Sequence, residues 1–415
     1  MAVGVAVPRK EDAELLTGQA RFVDDLTLPG MVWMAVVRSP YAHARISSVD
    51  VSPALHAPGV LAAYSGQDHA DYIPAGLPCA WPVTEDIKMP THWAIARDKA
   101  RYAGDGVAVV VAESRGLAKD AAELVEVEYE PLPVVTDAEA ALADGAPLVH
   151  DDLESNECYT WTLSAGEVDK LFAEADVTVS ERYFQNRLVP NAMEPRGVLV
   201  QPVPAADEYT VWSATQIPHI LRVLLAMTVG VPESKLRVIA PDVGGAFGSK
   251  LNVYAEEQLA LALARKLGRP VKWTEDRSEG YLATIHGRDV VQEIELAATA
   301  DGTITAVRTK LTAAMGAYLQ LVTPGIPLLG AWLYGGAYDV KAYDFTCTGV
   351  FTNTTPTDAY RGAGRPEATY AIERAVNALA RKLEMDPVEL RRKNFVTEFP
   401  ATIASGLTVD STDHH

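Results

Sequence analysis

A glycine-rich loop between a predicted strand and a predicted long helix is the feature that most constrains the fold of this chain. The strand covers residues 236–239, the loop covers residues 241–250 and the helix covers residues 252–267. The three glycines of the loop allow the backbone to approach a ligand closely, and the N-terminus of the following helix adds a partial positive charge. The local arrangement around the glycines is therefore expected to be strand, loop and helix.

The spacing of the glycines does not match the common nucleotide-binding motifs. Residues 243–250 have the sequence V-G-G-A-F-G-S-K. Dinucleotide-binding and phosphate-binding loops have the patterns G-x-G-x-x-G and G-x-x-x-x-G-K-[ST] instead. Taken alone, the loop is better interpreted as a tight turn than as a ligand site.

The rest of the hydrophobic pattern predicts an α+β fold. Short apolar runs rich in β-branched residues alternate with a few amphipathic segments. The other predicted elements are strands over residues 31–37, 106–112, 125–129, 177–184 and 197–201, and helices over residues 117–124 and 215–229. In the last of these helices Pro218 lies near the start and Gly230 just past the end. Five apolar residues are expected to share one face of it: Ile217, Ile220, Leu221, Leu224 and Leu225.

Two domains joined by a connector are expected. The first covers residues 15–133 and ends where Pro131 and Pro133 stop the last strand. Residues 134–178 are acidic, alanine-rich and turn-rich, which indicates a connector, and the second domain covers residues 179–415.

The charge of the chain argues against a nucleic-acid partner. The sequence has 36 basic and 55 acidic side chains among 415 residues, a formal net charge of −19. Such a surplus of negative charge repels phosphate backbones, and its simplest role is to keep the protein in solution.

Cysteine use and hydropathy indicate a cytoplasmic protein with no membrane span. The three cysteines, Cys79, Cys158 and Cys347, form no C-x-x-C pair. A disulfide framework, a zinc ribbon and an iron–sulfur cluster held by this chain alone are therefore not expected. No apolar run approaches the roughly 18 residues that span a bilayer, and the first residues match neither a secretory nor a twin-arginine signal.

Three further segments carry residues with binding chemistry. In residues 358–368, Arg361 and Arg365 flank a Gly-Ala-Gly loop. Their guanidinium groups suit phosphate or carboxylate recognition, although solvated surface arginines explain the pattern equally well. In residues 212–219, Gln216 is a neutral donor, but capping of the helix by Ser213 or Thr215 is the preferred local interpretation. Residues 191–197, taken locally, are a turn between strands.

Other catalytic motifs are absent from the sequence. There is no G-x-S-x-G nucleophile elbow and no H-E-x-x-H zinc motif. His43, His219 and His286 lack signature neighbours and remain unassigned.

In this order and spacing, the four segments together resemble the molybdenum-cofactor subunit of the xanthine dehydrogenase, aldehyde oxidase and carbon monoxide dehydrogenase family. The A-Y-R-G-A-G-R sequence of residues 359–365 is most similar to the carbon monoxide dehydrogenase-like class. The resemblance extends over essentially the whole chain. Its further stretches are residues 8–12, 16–18, 22–25, 38–44, 102–104, 193–196 and 286–289.

The resemblance implies a fold, a cofactor and site residues. The first half would be an α/β hammerhead domain, and the second half the first part of a molybdopterin-binding domain. Molybdenum would be held by a pterin dithiolene, extended as a cytosine dinucleotide, with no protein side chain as a metal ligand. Gln216 would hydrogen-bond an oxygen ligand of the metal, and Arg361 would lie near the substrate. The loop against the metal's ligands would comprise Gly244, Gly245, Ala246, Phe247 and Gly248.

The implied reaction is hydroxylation or oxidation of a small carbonyl or N-heterocyclic substrate with oxygen from water. Electrons would leave through [2Fe–2S] clusters on an iron–sulfur small subunit and FAD on a medium subunit. The substrate pocket would include Leu251, Arg361, Gly362, Ala363 and Gly364, with further walls from residues 318–333.

Two positions narrow the substrate that the resemblance implies. Purine oxidisers carry a glutamate where this chain has Leu251, which argues against xanthine. Copper-containing carbon monoxide dehydrogenases carry a cysteine in the second loop, where residues 362–364 are Gly-Ala-Gly, which argues against copper-dependent CO oxidation.

The resemblance also implies that the general-base glutamate belongs to a further C-terminal part of the large subunit. Glu194, Glu279 and Glu367 do not match that base by motif, so no catalytic residue is assigned. A complementary C-terminal half is accordingly expected as a partner. The alternative is a non-catalytic scaffold or cofactor-handling protein that keeps the fold without the activity.

Overall fold

The computed structural model describes residues 4–68 and 73–409, and strands and helices alternate along them as in an α+β protein. The first half contains α1 (Asp12–Leu16), β1 (Val32–Arg38), β2 (Ala44–Asp50), α2 (Ser52–Leu55), β3 (Val60–Ser65), β4 (Lys99–Ala100), β5 (Gly106–Ala112), α3 (Arg115–Ala122), β6 (Glu126–Pro131) and α4 (Ala138–Ala141).

The second half is richer in long elements. It contains β7 (Glu157–Ala165), α5 (Val168–Ala173), β8 (Val177–Gln185), β9 (Gly197–Val203), β10 (Glu208–Ser213), α6 (Pro218–Val229), β11 (Leu236–Ile239), α7 (Ala255–Leu267), β12 (Val271–Thr274), α8 (Arg277–Ala283), β13 (Val290–Ala298), β14 (Ile304–Gly316), α9 (Gly325–Leu328), β15 (Ala342–Phe351), α10 (Arg365–Lys382), α11 (Pro387–Asn394), β16 (Ala401–Thr402) and β17 (Thr408–Val409).

A seven-stranded sheet joins the two halves of the chain. Its strand order is β11-β10-β9-β12-β1-β5-β3. β1 pairs in parallel with β12, with Val32 opposite Val271, and antiparallel with β5 on its other side. All seven residues of β5 are buried because α2 and α3 pack on one face of the strand and the core that contains α6 and α7 packs on the other. The regions predicted as separate domains therefore share one sheet.

A five-stranded sheet of order β7-β15-β14-β13-β8 carries the second core, and α10 packs against β8 and β13. β7 lies within residues 134–178, where the composition predicts a connector. It pairs antiparallel with β15 over most of its length. The alanine-rich composition thus describes only the start of this segment, since residues 157–165 belong to a sheet. Two smaller sheets, β4-β2-β6 and β16-β17, complete the fold.

Most predicted elements are present, and two helices begin later than predicted. β5 and β11 occupy the predicted residues, whereas α6 begins at Pro218 instead of residue 215, and α7 begins at Ala255 instead of residue 252. α6 begins at Pro218 because proline disfavours a helical backbone in the residue before it, and Ile217 has φ −132°.

The face of α6 that packs inward is narrower than predicted. Leu221 and Leu225 are fully buried, but Ile220 is 48% exposed. Both helices end at a glycine in the left-handed conformation: Gly230 follows α6, as predicted, and Gly268 follows α7. Among the described residues, no helix is both long and apolar enough to cross a membrane.

Candidate functional site

The glycine loop lies between two other segments that leave no room for larger residues. Gly248 has φ +102°, and a Cβ atom there would lie 1.9 Å from the carbonyl oxygen of Ala359. A Cβ atom on Gly244 would lie 2.5 Å from the Cβ of Glu194. The glycines are therefore needed for close backbone packing on both sides of the loop, beyond the requirements of a turn.

Gln216 is attached to this loop through its side chain and its backbone. Its Oε1 accepts the N–H of Gly248 at 3.0 Å, and its backbone N–H donates to the carbonyl of Lys250. The carbonyl oxygen of the carboxamide is therefore already hydrogen-bonded to the loop. Its Nε2 group makes no hydrogen bond within the described residues and is free to donate to a bound group.

Ser213 and Thr215 do not cap α6, so the local interpretation of this segment is wrong. Ser213 donates to Glu257 at 2.5 Å inside the protein. Thr215 Oγ1 donates to the carbonyl of Lys250 at 3.3 Å and accepts the N–H of Ile217, which occupies the cap position without a side-chain cap bond. These hydroxyls are used to fix the turn that carries Gln216.

Arg361 meets the glycine loop from the opposite side. Its backbone N–H donates to the carbonyl of Phe247 at 3.0 Å, and its side chain is exposed. Arg288 stabilises the loop that carries Arg361 by donating to the carbonyls of Tyr360 at 3.2 Å and Arg361 at 2.7 Å. The structure thus brings Gln216, the glycine loop and the Arg361 loop together, although each is far from the others in sequence.

The small residues after Arg361 form a tight turn into α10. Gly362, Ala363 and Gly364 all have positive φ, and a Cβ atom on Gly362 would lie 2.3 Å from the ring of Pro366. Leu251 is half-buried, and its N–H donates to the carbonyl of Gly248 at 2.9 Å. The residues predicted for a substrate pocket are therefore connected to the glycine loop by hydrogen bonds or by chain continuity.

Tyr318, the first residue of the predicted pocket segment 318–333, lies in the core. Its ring stacks on His92 with centroids 4.1 Å apart, and its hydroxyl accepts a hydrogen bond from Arg101. Burial raises the pKa of this phenol further above its usual value. Tyr318 therefore stabilises the junction between the two halves of the chain and does not line an open pocket.

Two buried carboxyl groups lie next to the Arg361 loop. Burial raises the pKa of Asp358 to about 6, against the stabilising backbone N–H groups of Ala359 and Val322. Burial also raises the pKa of Glu367, which pairs with Arg288 at 3.0 Å, and its Oε2 has no hydrogen-bond partner. The carboxyl groups of Asp358 and Glu367 stabilise the Arg361 loop through hydrogen bonds to neighbouring buried groups.

His286 is structural. Its Nε2 lies 3.0 Å from the carbonyl oxygen of Tyr281, and Arg187 contacts its Nδ1 at 3.2 Å. Burial, helped by the charge of Arg187, lowers its pKa to about 4, so the ring is neutral at physiological pH. Across the described ranges, no group of three His, Cys, Asp or Glu side chains is placed to hold a metal ion.

Sequence reasoning missed a buried ionic network behind the loop. Arg196 donates to Glu275 at 2.6 Å and to Glu256 at 2.8 Å, and Glu256 also accepts from Arg38 of β1 at 2.6 Å. The guanidinium of Arg196 stacks 3.8 Å above the ring of Tyr254. The M-E-P-R motif contained the signal, but a motif does not reveal which partners its arginine will meet.

The loop can hold an anionic or acceptor-rich group. The backbone N–H groups of Gly245, Ala246 and Phe247 make no hydrogen bond within the described residues. Phe247 has φ +56° and is 45% exposed, so the loop is held in a strained conformation at the surface. Together with Nε2 of Gln216, these donors fit a cofactor rich in oxygen, nitrogen and sulfur acceptors.

Comparison with protein families agrees with this geometry. The model of the aldehyde oxidase and xanthine dehydrogenase a/b hammerhead domain matches residues 17–133. The model of the molybdopterin cofactor-binding domain matches residues 149–395, more than half of the chain.

Individual relatives match nearly the whole chain. The nicotine 6-hydroxylase large subunit of Paenarthrobacter nicotinovorans is 37% identical over 98% of this chain and 50% of its own length. The carbon monoxide dehydrogenase large chain of Hydrogenophaga pseudoflava is 38% identical over 98% of this chain and 52% of its own length. The chain spans about half the length of the curated relatives it matches.

Solved structures share the fold. Quinoline 2-oxidoreductase from Pseudomonas putida 86 superposes with a TM-score of 0.95 at 37% identity, over 99% of this chain and 52% of that one. The aldehyde oxidoreductase from Desulfovibrio gigas superposes with a TM-score of 0.85 at 28% identity, over 94% of this chain and 43% of that one.

Proposed function

The chain belongs to the molybdopterin-binding large subunits of the xanthine dehydrogenase and aldehyde oxidase family, and we propose that it binds a molybdenum cofactor and presents it to a small carbonyl or N-heterocyclic substrate. The observation that carries the proposal is the convergence of Gln216, the glycine loop and the Arg361 loop. The side chain of Gln216 is bonded to Gly248, and the backbone of Arg361 to Phe247.

In the proposed complex the chain supplies hydrogen-bond donors. When bound, the cofactor supplies the activation of water and the acceptance of two electrons. Nε2 of Gln216 and the N–H groups of Gly245, Ala246 and Phe247 would donate to the cofactor's acceptors. Arg361 is exposed beside this loop and would orient a substrate carbonyl or ring nitrogen by its planar guanidinium.

The same proposal covers the chemical form of the cofactor and the partner subunits. It includes the cytosine dinucleotide form of the cofactor, an iron–sulfur small subunit, a FAD-binding medium subunit and a complementary C-terminal half. Relatives named as the large subunit or subunit gamma of a complex support the presence of partners. The proposed division of the chain is a hammerhead domain at residues 15–133, a connector at residues 134–178 and a cofactor domain at residues 179–415.

The proposed substrates are N-heterocycles or aldehydes. Leu251 offers no carboxylate to a purine, and Gly362, Ala363 and Gly364 add little bulk beside Arg361. Relatives named for nicotine hydroxylation and quinoline oxidation support a heterocycle. Residues 362–364 also offer no thiolate for copper.

The proposal is tested by metal analysis of the complex purified from its native host. Stoichiometric molybdenum together with iron and FAD is expected in the wild type. Gln216→Leu should lower retention of molybdenum on dialysis by roughly threefold to tenfold, because one hydrogen bond to the cofactor and one to Gly248 are lost. His219→Leu, at an exposed position near the start of α6, is the matched control and should retain the metal. Folded wild-type complex without molybdenum would contradict the proposal and favour the scaffold alternative.

A further inference from the structure

We propose that Glu194 and Lys250 are positioning residues that hold the glycine loop and Gln216 in the arrangement required for cofactor binding. The inference rests on the proposed function. It concerns two residues that contact the loop from behind and that neither a metal-ligand motif nor a base motif identifies.

Glu194 connects the two ends of the glycine loop. Its Oε2 accepts the backbone N–H of Gly244 at 2.8 Å and the ammonium of Lys250 at 2.7 Å. Its own backbone N–H donates to the carbonyl of Gly244 at 3.1 Å. One carboxylate thus fixes the distance between residues 244 and 250, and the intervening residues must form an outward loop.

Lys250 connects that carboxylate to Gln216. Its carbonyl oxygen accepts the backbone N–H of Gln216 at 2.9 Å and the hydroxyl of Thr215 at 3.3 Å. A shift of Lys250 therefore moves the backbone that carries the Gln216 carboxamide, and with it the donor expected to meet the cofactor.

The burial of the Glu194–Lys250 pair indicates that it positions the backbone and contributes little to stability. The side chain of Lys250 is 1% exposed, and Oε1 of Glu194 is buried with no hydrogen-bond partner. Burial lowers the pKa of Lys250, while Glu194 opposes that effect and favours the charged ammonium. A buried ion pair with an unsatisfied oxygen is a poor source of stability compared with apolar packing. Its geometry instead fixes three backbone segments at once.

Amide hydrogen exchange measures this role without the cofactor. Glu194→Ala and Lys250→Met should each accelerate exchange roughly tenfold or more at the hydrogen-bonded amides within residues 243–251, those of Gly244, Gly248 and Leu251, because the loop loses a charge-assisted hydrogen bond. Glu194→Gln keeps an oxygen acceptor for the N–H of Gly244 but removes the charge that pairs with the buried ammonium of Lys250, so it should accelerate exchange less than Glu194→Ala does. The control is Lys272→Met: this lysine is equally buried, but its Nζ bonds the carbonyls of Asp24 and Leu26. It should leave exchange in the loop unchanged.

The double variant distinguishes positioning from simple packing. Lys250→Met leaves a buried carboxylate without its cation, and adding Glu194→Gln removes that charge while keeping the acceptor for Gly244. The double variant should therefore exchange more slowly in residues 243–251 than Lys250→Met alone. Additive effects, or acceleration equal to that in Lys272→Met, would overturn the inference.

Molybdenum content of the native complex separates this inference from the proposed function. If the wild type retains molybdenum and Glu194→Ala loses more of it than Glu194→Gln does, both are supported. If the wild type contains no molybdenum, the proposed function fails, whereas the exchange data still decide whether the pair positions the loop.

Discussion

Gly248 sits where the glycine loop touches the loop that carries Arg361. Its φ of +102° and the 1.9 Å approach of a Cβ atom to the Ala359 carbonyl are both incompatible with a side chain. Gly248→Ala should therefore destabilise the protein by roughly 2 kcal/mol or more, measured by urea unfolding.

Gly116 provides the matched control for this substitution. It lies in α3 and is exposed, and a Cβ atom there would have no heavy atom within 4 Å. Gly116→Ala should stabilise the protein by up to about 1 kcal/mol because alanine loses less backbone entropy in a helix. Equal effects of the two substitutions would contradict the steric argument.

At the scale of single elements, helix ends follow local signals where solvent surrounds them. α11 is preceded by Asp386, whose Oδ1 accepts the N–H groups of Val388 at 2.8 Å and Glu389 at 3.1 Å. Pro387 then begins the helix with a backbone angle already suited to it. α6 likewise begins at a proline, Pro218, but Ile217 before it makes no side-chain cap bond.

Removal of the α11 cap tests this local control. Asp386→Ala should lower the free energy of unfolding by about 1 kcal/mol, since two N–H groups lose their acceptor. Asp144→Ala is the control, because Asp144 is exposed and makes no hydrogen bond with the described residues. A loss no larger than that of the control would show that α11 is held by packing alone.

At the scale of the whole molecule, buried charge ties the first half of the chain to the second. Glu256 of α7 accepts hydrogen bonds from Arg38 of β1 and from Arg196, next to β9. Burial raises the pKa of Glu256, but Arg196 and Arg38 outweigh burial and lower it to about 2. The carboxylate therefore contributes stability that is fully present above its unfolded pKa of about 4.5 and is lost as the pH falls toward 2.

This network predicts a pH-dependent effect of Glu256→Gln. The variant should be less stable than the wild type by about 3–5 kcal/mol at pH 7, since two buried guanidinium groups lose their carboxylate. The difference should shrink between about pH 4.5 and pH 2, as the wild-type carboxyl takes up a proton. Glu295→Gln, whose pair with Arg308 is partly exposed, is the control and should change stability by less than about 1 kcal/mol. A difference independent of pH would contradict the assignment.

Elements with strong local signals could be predicted from the amino-acid sequence. β5 is a continuous apolar run that is buried on both faces, and Gly230 and Gly268 end α6 and α7 in the left-handed conformation. The motifs also identified Gln216, the glycine loop and Arg361 as parts of one site, because their order and spacing resemble a known family. Each individual signal, a strand, a helix end or a motif, is carried by residues that are neighbours along the chain.

Contacts between distant residues, by contrast, became known only from the folded structure. The sequence did not indicate that Lys250 pairs with Glu194, that β1 lies beside β12, or that residues 157–165 form a strand of the second core. Each of these outcomes depends on the path of the chain between the partners. A buried charge or a strand at a sheet edge is stabilised by residues that are distant in sequence. Local propensity depends only on neighbouring residues, so it does not identify those partners.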